Sequence, residues 1–248
     1  MTLAQNTMES RLAEVRRRIT AAAERAGRAV DSVTLIAVTK THPAGVMREI
    51  ATLGVGDVGE NKVQEGVRKF EELYSDAAAN SRPRFHLIGH LQSNKARQAV
   101  QYFDLIHSVD SVRLAQELNR QAEKLQKTCA VLLQVNVSGE ETKSGLHPGN
   151  VEAALAEILS TCPALKIEGF MTMAPFVDDA EEARPCFRAL RELAAGLREK
   201  AAARGQHVGS HLSMGMTNDF EVAIEEGATL VRVGTALFGE RDYGAPAV

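Results

Sequence analysis

One lysine stands where a surface lysine has no reason to be. Residues 33–38, Val-Thr-Leu-Ile-Ala-Val, form an apolar run fit for a buried strand. That run ends in Thr39-Lys40, ahead of the loop Thr41-His42-Pro43. An amine delivered by a buried strand end is held in place and partly stripped of water. It can then shed its proton and act as a nucleophile toward a carbonyl. Far along the chain, two further strand-like runs end in residues suited to phosphate. They are His211-Leu212-Ser213-Met214-Gly215-Met216-Thr217 and Leu230-Val231-Arg232-Val233-Gly234-Thr235-Ala236. A nucleophilic amine and a phosphate cradle are together what pyridoxal 5′-phosphate requires.

Each feature has a plainer explanation. A lone lysine at a strand end commonly snorkels to water along its own stem; the paired phosphate loops favour the nucleophile. The Ser213 segment runs into a helix with Thr217 and Asn218 at its start and Glu221 three residues after Asn218. Helix starts leave N–H groups free, and those suit anions. Simple capping accounts for Thr217 or Asn218 but leaves Ser213-Met214-Gly215 unexplained. Gly234 lets backbone approach a phosphate, and the Thr235 hydroxyl adds a donor. Arg232 lies between Val231 and Val233, and in a buried strand it needs an anionic or acceptor partner. That partner is either a carboxylate across the fold or the pyridine nitrogen of the cofactor. In the second case the arginine donates a hydrogen bond but no proton, and the ring stays a weak electron sink.

The elements that must position these residues alternate. Leu12, Val15, Ile19, Ala22 and Ala26 recur at helical spacing, so residues 1–27 read as an N-terminal amphipathic helix closed by Gly27. Strand-like runs follow at 33–38, 55–59, 85–88, 105–108, 131–137, 167–171, 211–213 and 230–233. Helical patterns fill 46–53, 63–73, 112–125, 151–159, 181–200 and 219–225, with a weaker one at 93–101. Strand alternating with helix implies a parallel sheet, and eight strands close a (β/α)8 barrel. An open doubly wound sheet is the alternative, because the runs near 55 and 211 are short. No linker or repeat divides the chain, so one domain over 1–248 is expected: a single-domain (β/α)8 TIM barrel with an extra N-terminal helix. Such barrels do their chemistry on the loops after the strands. Those loops carry Lys40, Glu60-Asn61, Gly89-His90, Ser108, Asn136, residues 171–173, Ser213 and Gly234-Thr235, which is the signature of a single site.

A chain of 248 residues with a formal net charge of −3 can bury a full core and offers no electrostatic footprint for nucleic acid or a membrane surface. No apolar stretch approaches the ~20 residues of a membrane span. Arg16-Arg17-Arg18 is interspersed with Glu9, Glu14 and Glu24, so it reads as a solvated helix face rather than a transit peptide. Cys129, Cys162 and Cys186 are odd in number and widely spaced, which argues against a disulfide framework or zinc site and for a reducing cytoplasm. Three motifs mislead. Gly54-Val55-Gly56-Asp57-Val58-Gly59 spells G-x-G-x-x-G, but it follows a helix and contains the strand, the reverse of a dinucleotide fingerprint. His86 and His90 are four apart on a strand and its loop, where that spacing makes no metal site, and no metal is expected. The loop 139–145 lacks the residue order of a nucleotide loop and reads as a charged rim.

With these residues in hand the chain resembles the pyridoxal phosphate homeostasis family, single-domain relatives of the alanine racemase N-terminal barrel. The resemblance rests on Ile36-Ala37-Val38-Thr39-Lys40, Gly59-Glu60-Asn61-Lys62-Val63-Gln64-Glu65 and His86-Leu87-Ile88-Gly89-His90-Leu91-Gln92-Ser93-Asn94-Lys95. It continues through Gln134-Val135-Asn136-Val137-Ser138-Gly139-Glu140, Lys143-Ser144-Gly145 and Gly169-Phe170-Met171-Thr172-Met173. It ends with Leu212-Ser213-Met214-Gly215-Met216 and Arg232-Val233-Gly234-Thr235-Ala236-Leu237-Phe238-Gly239. The resemblance implies that Lys40 holds the cofactor as an aldimine and that Ser213, Gly234 and Thr235 bind its phosphate. It further implies that Arg232 faces the ring nitrogen and that Asn61 and Asn136 line the pocket. Thr217-Asn218-Asp219 stands where many relatives have Ser-x-Asp, and the hydroxyl is kept.

The expected function is therefore a carrier or buffer of pyridoxal 5′-phosphate, with no catalytic residues assigned and no robust enzymatic activity. The alternative is a cofactor-dependent amino-acid racemase or decarboxylase. Racemisation needs a base on each face of the substrate carbon; Tyr74, Tyr102 and Tyr243 all fall away from the mouth loops. An unrelated phosphate-binding barrel enzyme is a third possibility. The partner is expected to be the small-molecule cofactor alone, and the protein a monomer.

Overall fold

The computed structural model describes residues 7–75, 82–140 and 144–239. Residues 1–6 of the expected first helix, the middle of the 139–145 loop with Lys143, and Tyr243 lie outside the described residues.

Eight strands close a barrel in chain order. They are β1 (Thr34–Val38), β2 (Asp57–Glu60), β3 (Arg84–Leu87), β4 (Leu105–Val109), β5 (Cys129–Gln134), β6 (Leu165–Met171), β7 (His211–Ser213) and β8 (Leu230–Val233). Every neighbouring pair is parallel. β8 returns to β1 with Thr34 opposite Leu230 and Ile36 opposite Arg232, which excludes the open sheet. The helices are α1 (Met8–Arg25), α2 (Ala44–Thr52), α3 (Val63–Tyr74), α4 (Ala96–Tyr102), α5 (Val112–Lys124), α6 (Val151–Thr161), α7 (Arg184–Ala203), α8 (Phe220–Glu225) and α9 (Thr235–Phe238).

Strand alternation sorts the side chains into two layers. Ala37, Val58, Phe85, Ile106, Val131, Leu133 and Val231 join the large core between barrel and helices. Ile36, Leu105, Leu132, Met171 and Leu230 make a separate, much smaller apolar cluster. The remaining interior is polar. The β4 residue His107 bonds to the β7 residue Ser213 at 2.8 Å, and strands that are not neighbours can meet only across the interior.

Expected and observed elements differ where local chemistry intervenes. The pattern at 181–200 is broken into a 3-10 turn, Ala180–Ala183, and α7, because Pro185 suits only the first turn of a helix. β5 stops at Gln134, short of 137, as the chain turns away and Val135 keeps a single bridge to Leu146. The G-x-G-x-x-G segment holds strand β2 within it, as its order required.

α1 packs against α8 and α9, the helices on either side of the last strand in sequence. It is N-capped by Thr7, whose hydroxyl accepts the Ser10 N–H, and it buries Leu12, Val15, Ile19, Ala22 and Ala23. Arg16 and Arg17 of the arginine run are exposed, and Arg17 pairs with Glu14. Arg16 donates to the carbonyls of Leu53 and Gly54, and Arg18 pairs with Glu221 at 2.6 Å while lying over the Phe220 ring. Two of the three arginines are therefore tethers.

Gly169 sets the spacing of β6 and β7. Glu168 is an extra residue in β6, since Val131 faces Ile167 and Leu132 faces Gly169. Gly169 has φ +144°, and a Cβ there would lie 2.0 Å from the His211 carbonyl oxygen. Gly169→Ala is expected to destabilise the fold by roughly 2–6 kcal/mol, combining overpacking with backbone strain. A wild-type urea midpoint for that variant would show that the β6–β7 seam yields easily.

Candidate functional site

A cavity of about 630 Å³ opens at the C-terminal ends of the strands, the end on which barrels of this kind carry their chemistry. Three consecutive strands in the closed order, β8, β1 and β2, bring most of the expected residues to it. Lys40 follows β1, Asn61 follows β2, and Arg232, Gly234 and Thr235 come from β8 and the turn into α9; all five line the cavity. Gln134, Met173, Phe176 and the segment 216–219 line the other walls.

Arg232 is 4% exposed, and burial pushes its guanidinium down to about 10. It remains a cation at neutral pH. Among the described residues no carboxylate pairs with it, so the ion pair across the barrel is not formed. Its Nη1 donates to the Ser213 hydroxyl at 2.6 Å and its Nη2 to the Thr172 carbonyl at 3.0 Å. A guanidinium has five N–H donors, and these two contacts leave others for an acceptor in the cavity.

Ser213 departs from the expectation of a phosphate ligand. Its side chain is fully buried and does not line the cavity. The hydroxyl takes the Arg232 hydrogen bond on one side and contacts His107 Nδ1 at 2.8 Å on the other. The line continues from His107 Nε2 to His86 Nδ1 at 2.9 Å, then from His86 Nε2 to Asp57 Oδ1 at 2.8 Å. Arginine can only donate and the Asp57 carboxylate oxygen only accept, so the two ends orient everything between them. With both imidazoles neutral, one arrangement satisfies every contact. Ser213 donates to His107 Nδ1, His107 Nε2–H donates to His86 Nδ1, and His86 Nε2–H donates to Asp57. Burial holds His107 well below the ordinary histidine range, with His86 and Arg232 adding to the effect, which keeps it neutral.

Asn136 is also outside the cavity lining. Its side-chain amide donates to the Glu140 carbonyl at 2.8 Å and its carbonyl accepts the Ser138 hydroxyl, so it shapes the loop after β5. The wall it was expected to supply comes from Gln134, which donates to the Ser144 carbonyl at 2.9 Å. Inward alternation along β5, through Leu132 to Gln134, is the signal that points to it. The two histidines four apart separate: His86 enters the barrel, whereas His90 lies at the cavity rim beside Asp110.

The turn before α8 is built by neither expected cap. Asp219 Oδ1 accepts the Met216 N–H at 2.6 Å, and Thr217 and Asn218 line the cavity. Gly215 turns there with φ +91°, where a Cβ would lie 2.6 Å from that of Ala223. Asp219 sits above the usual carboxylate range because of its burial. On the opposite lip, Thr235 and Ala236 begin α9, and their N–H groups have no intrahelical acceptor.

Comparison with known proteins agrees with this geometry. The family described as "Alanine racemase, N-terminal domain" matches residues 11–242. A pyridoxal phosphate homeostasis protein of Aquifex aeolicus is 44% identical over 233 residues, 94% of this chain and 98% of that protein. One of Pseudomonas aeruginosa is 43% identical over 243 residues, 98% and 99% of the two chains. The solved structure of PipY from Synechococcus elongatus with PLP bound is similar at a TM-score of 0.80 and 40% identity, covering 94% of this chain and 100% of that one. An alanine racemase of Clostridium difficile shares the fold alone, at a TM-score of 0.66 and 14% identity over 92% of this chain and 57% of that one.

The buried histidine makes stability depend on pH. An unfolded His107 takes up a proton near 6.5, whereas the folded one stays neutral below that. The unfolded state therefore binds more protons, and stability present above 6.5 is lost as pH falls. Between pH 7.5 and 5.5 the loss due to His107 is on the order of 1 kcal/mol. Urea titrations at the two pH values are expected to show that His107→Gln shrinks the acid loss by this amount.

Proposed function

This chain belongs to the pyridoxal phosphate homeostasis family, built on the alanine racemase N-terminal domain, and on that premise we propose that it binds and buffers pyridoxal 5′-phosphate. The observation that carries the reading is a buried guanidinium in a cavity wall whose hydrogen bonds go to a hydroxyl and a carbonyl rather than to a carboxylate, on the strand next to the one that delivers Lys40. When bound, pyridoxal 5′-phosphate supplies an aldehyde that condenses with a primary amine and releases one water.

The chain's own residues fit that group. Lys40 offers the amine. Arg232 donates a hydrogen bond toward the ring nitrogen and, as a retained cation, gives it no proton, which leaves the ring a weak electron sink. The N–H groups at the start of α9, the Thr235 hydroxyl and the bare backbone of Gly234 would hold the phosphate, and Asn61 would contribute to the pocket wall. Ser213 acts through Arg232 and Asn136 through its loop, both as supports. No tyrosine among the described residues lines the cavity, in keeping with a carrier rather than a racemase. Few large apolar side chains are exposed among the described residues, namely Val30, Phe176 and Met216, which supports a monomer. Three free cysteines suit the cytoplasm, and no helix among the described residues is long and apolar enough to cross a membrane.

Borohydride reduction of the protein with pyridoxal 5′-phosphate is expected to fix the cofactor to a peptide containing Lys40. Lys40→Ala should abolish that adduct yet retain the cofactor more weakly. Thr235→Val removes one charge-assisted hydrogen bond, worth roughly 1.5–3 kcal/mol, and should weaken pyridoxal 5′-phosphate by about 10- to 150-fold while barely changing pyridoxal. Ser213→Ala should weaken both ligands alike, because it acts at the ring end. Equilibrium titration with the two ligands decides the assignment. An adduct on Lys62 or Lys95 instead, or rapid turnover of alanine or serine, would overturn the carrier reading.

A further inference from the structure

We propose that Glu65 and Lys69 of α3 are positioning residues for the Lys40 amine, gripping the backbone on both sides of it. The inference rests on the reading of Lys40 as the amine that takes the aldehyde. Lys69 is fully buried, an unusual place for a helix lysine. Its Nζ donates to the Thr39 carbonyl at 2.7 Å, to Glu60 Oε1 at 2.8 Å and to Glu65 Oε1 at 2.8 Å, which uses all three of its protons.

The acceptors are arranged around one residue. Thr39 precedes Lys40, and it is held twice, by its carbonyl on Lys69 and by its hydroxyl donating to Glu60 Oε1 at 2.6 Å. Thr41 follows Lys40, and its N–H donates to Glu65 Oε1 at 2.5 Å, the same oxygen that Lys69 holds. Both flanks of Lys40 are thus tied to a single ammonium. Thr41 has φ +67°, a conformation that a residue with a branched Cβ adopts only when its surroundings impose it. The chain leaves β1 through this turn, so the turn sets the direction in which Lys40 enters the cavity. Glu60 Oε2 is buried without a hydrogen-bond partner. An arrangement selected for stability alone would not leave that oxygen unpaired; one that fixes the Lys40 turn accounts for the Lys69–Glu60 pair under it.

Lys69 is too deeply paired to be removed cleanly, so the test uses Glu65, whose side chain is 16% exposed. In Glu65→Ala the Thr41 N–H loses its acceptor. Glu65→Gln keeps an oxygen in the same place for both Thr41 and Lys69. Two ligands are compared: pyridoxal 5′-phosphate, whose capture on Lys40 is followed by borohydride trapping over time, and 4-deoxypyridoxine 5′-phosphate, which has no aldehyde. Glu65→Ala is expected to slow capture by 10- to 100-fold while changing affinity for the deoxy ligand less than 2-fold, and Glu65→Gln to restore capture to within about 3-fold of wild type. Capture by Glu65→Ala within 2-fold of wild type overturns the grip alone. Equal loss for both ligands also overturns it, since that marks general collapse of the site. A wild-type adduct on a lysine other than Lys40 overturns the premise and the grip together.

Discussion

Placing a guanidinium inside a barrel without a carboxylate hydrogen-bonded to it is the constraint to which the rest of this structure answers. Arg232 cannot leave its charge behind at neutral pH, and it cannot reach bulk water, so its N–H groups must find acceptors within a few ångströms. The protein supplies a hydroxyl and a backbone carbonyl, each from a different strand end, and leaves the remaining donors toward the cavity. The hydroxyl then needs an acceptor of its own, and the demand passes through His107 and His86 until Asp57 ends it. This line of polar side chains runs through the interior beside an apolar cluster of only a few residues. Buried networks of this kind specify a unique core only when every member is satisfied, and here every ring nitrogen is.

Much of this was visible in the sequence. The eight strands and their order followed from hydrophobic runs bounded by helical patterns, since burial on both faces makes parallel strands continuously apolar. Lys40, Asn61, Arg232, Gly234 and Thr235, which line the cavity, stood out because a polar residue at the end of an apolar run is conspicuous. Ser213 was found by the same signal and given a different job by the fold. Its direction depends on His107, 106 residues away, within a run that reads as ordinary core. Asn136 lies outside the cavity lining for a similar reason: its side chain turns to Glu140 of its own loop, a contact no periodicity records. Lys69 was invisible, because a lysine on an amphipathic helix reads as a solvent-facing residue until its three acceptors are in view.

Two kinds of polar burial coexist around the cavity. Beneath it, the Arg232 line places a hydroxyl and two imidazoles between a cation and the Asp57 carboxylate. Beside β1, Lys69 faces two carboxylates directly. Burial pushes Glu60 above the usual range despite the ammonium next to it. The first arrangement keeps a positive face toward the cavity; the second confines its charges behind the backbone of residues 39–41. Arg232, Lys40 and Asp219 therefore set the charge that the cavity presents, while the Lys69 cluster stays out of its lining.

The tethers of α1 also bear on how the polypeptide is made. Arg18 finds Glu221 203 residues later, and Arg25 finds Glu225 200 residues later. At ribosomal speeds of about 5–20 residues per second, roughly 10 to 40 s separate the two ends of each contact. Throughout that interval α1 exists with its apolar face unpaired and β1 lacks the strand on its other edge. Barrel closure is therefore a late event on the ribosome, and the earliest helix to be synthesised is among the last to dock. In the nascent protein the exposed edge of β1 and the open stripe of α1 lie next to each other in sequence, a natural point for chaperone attention.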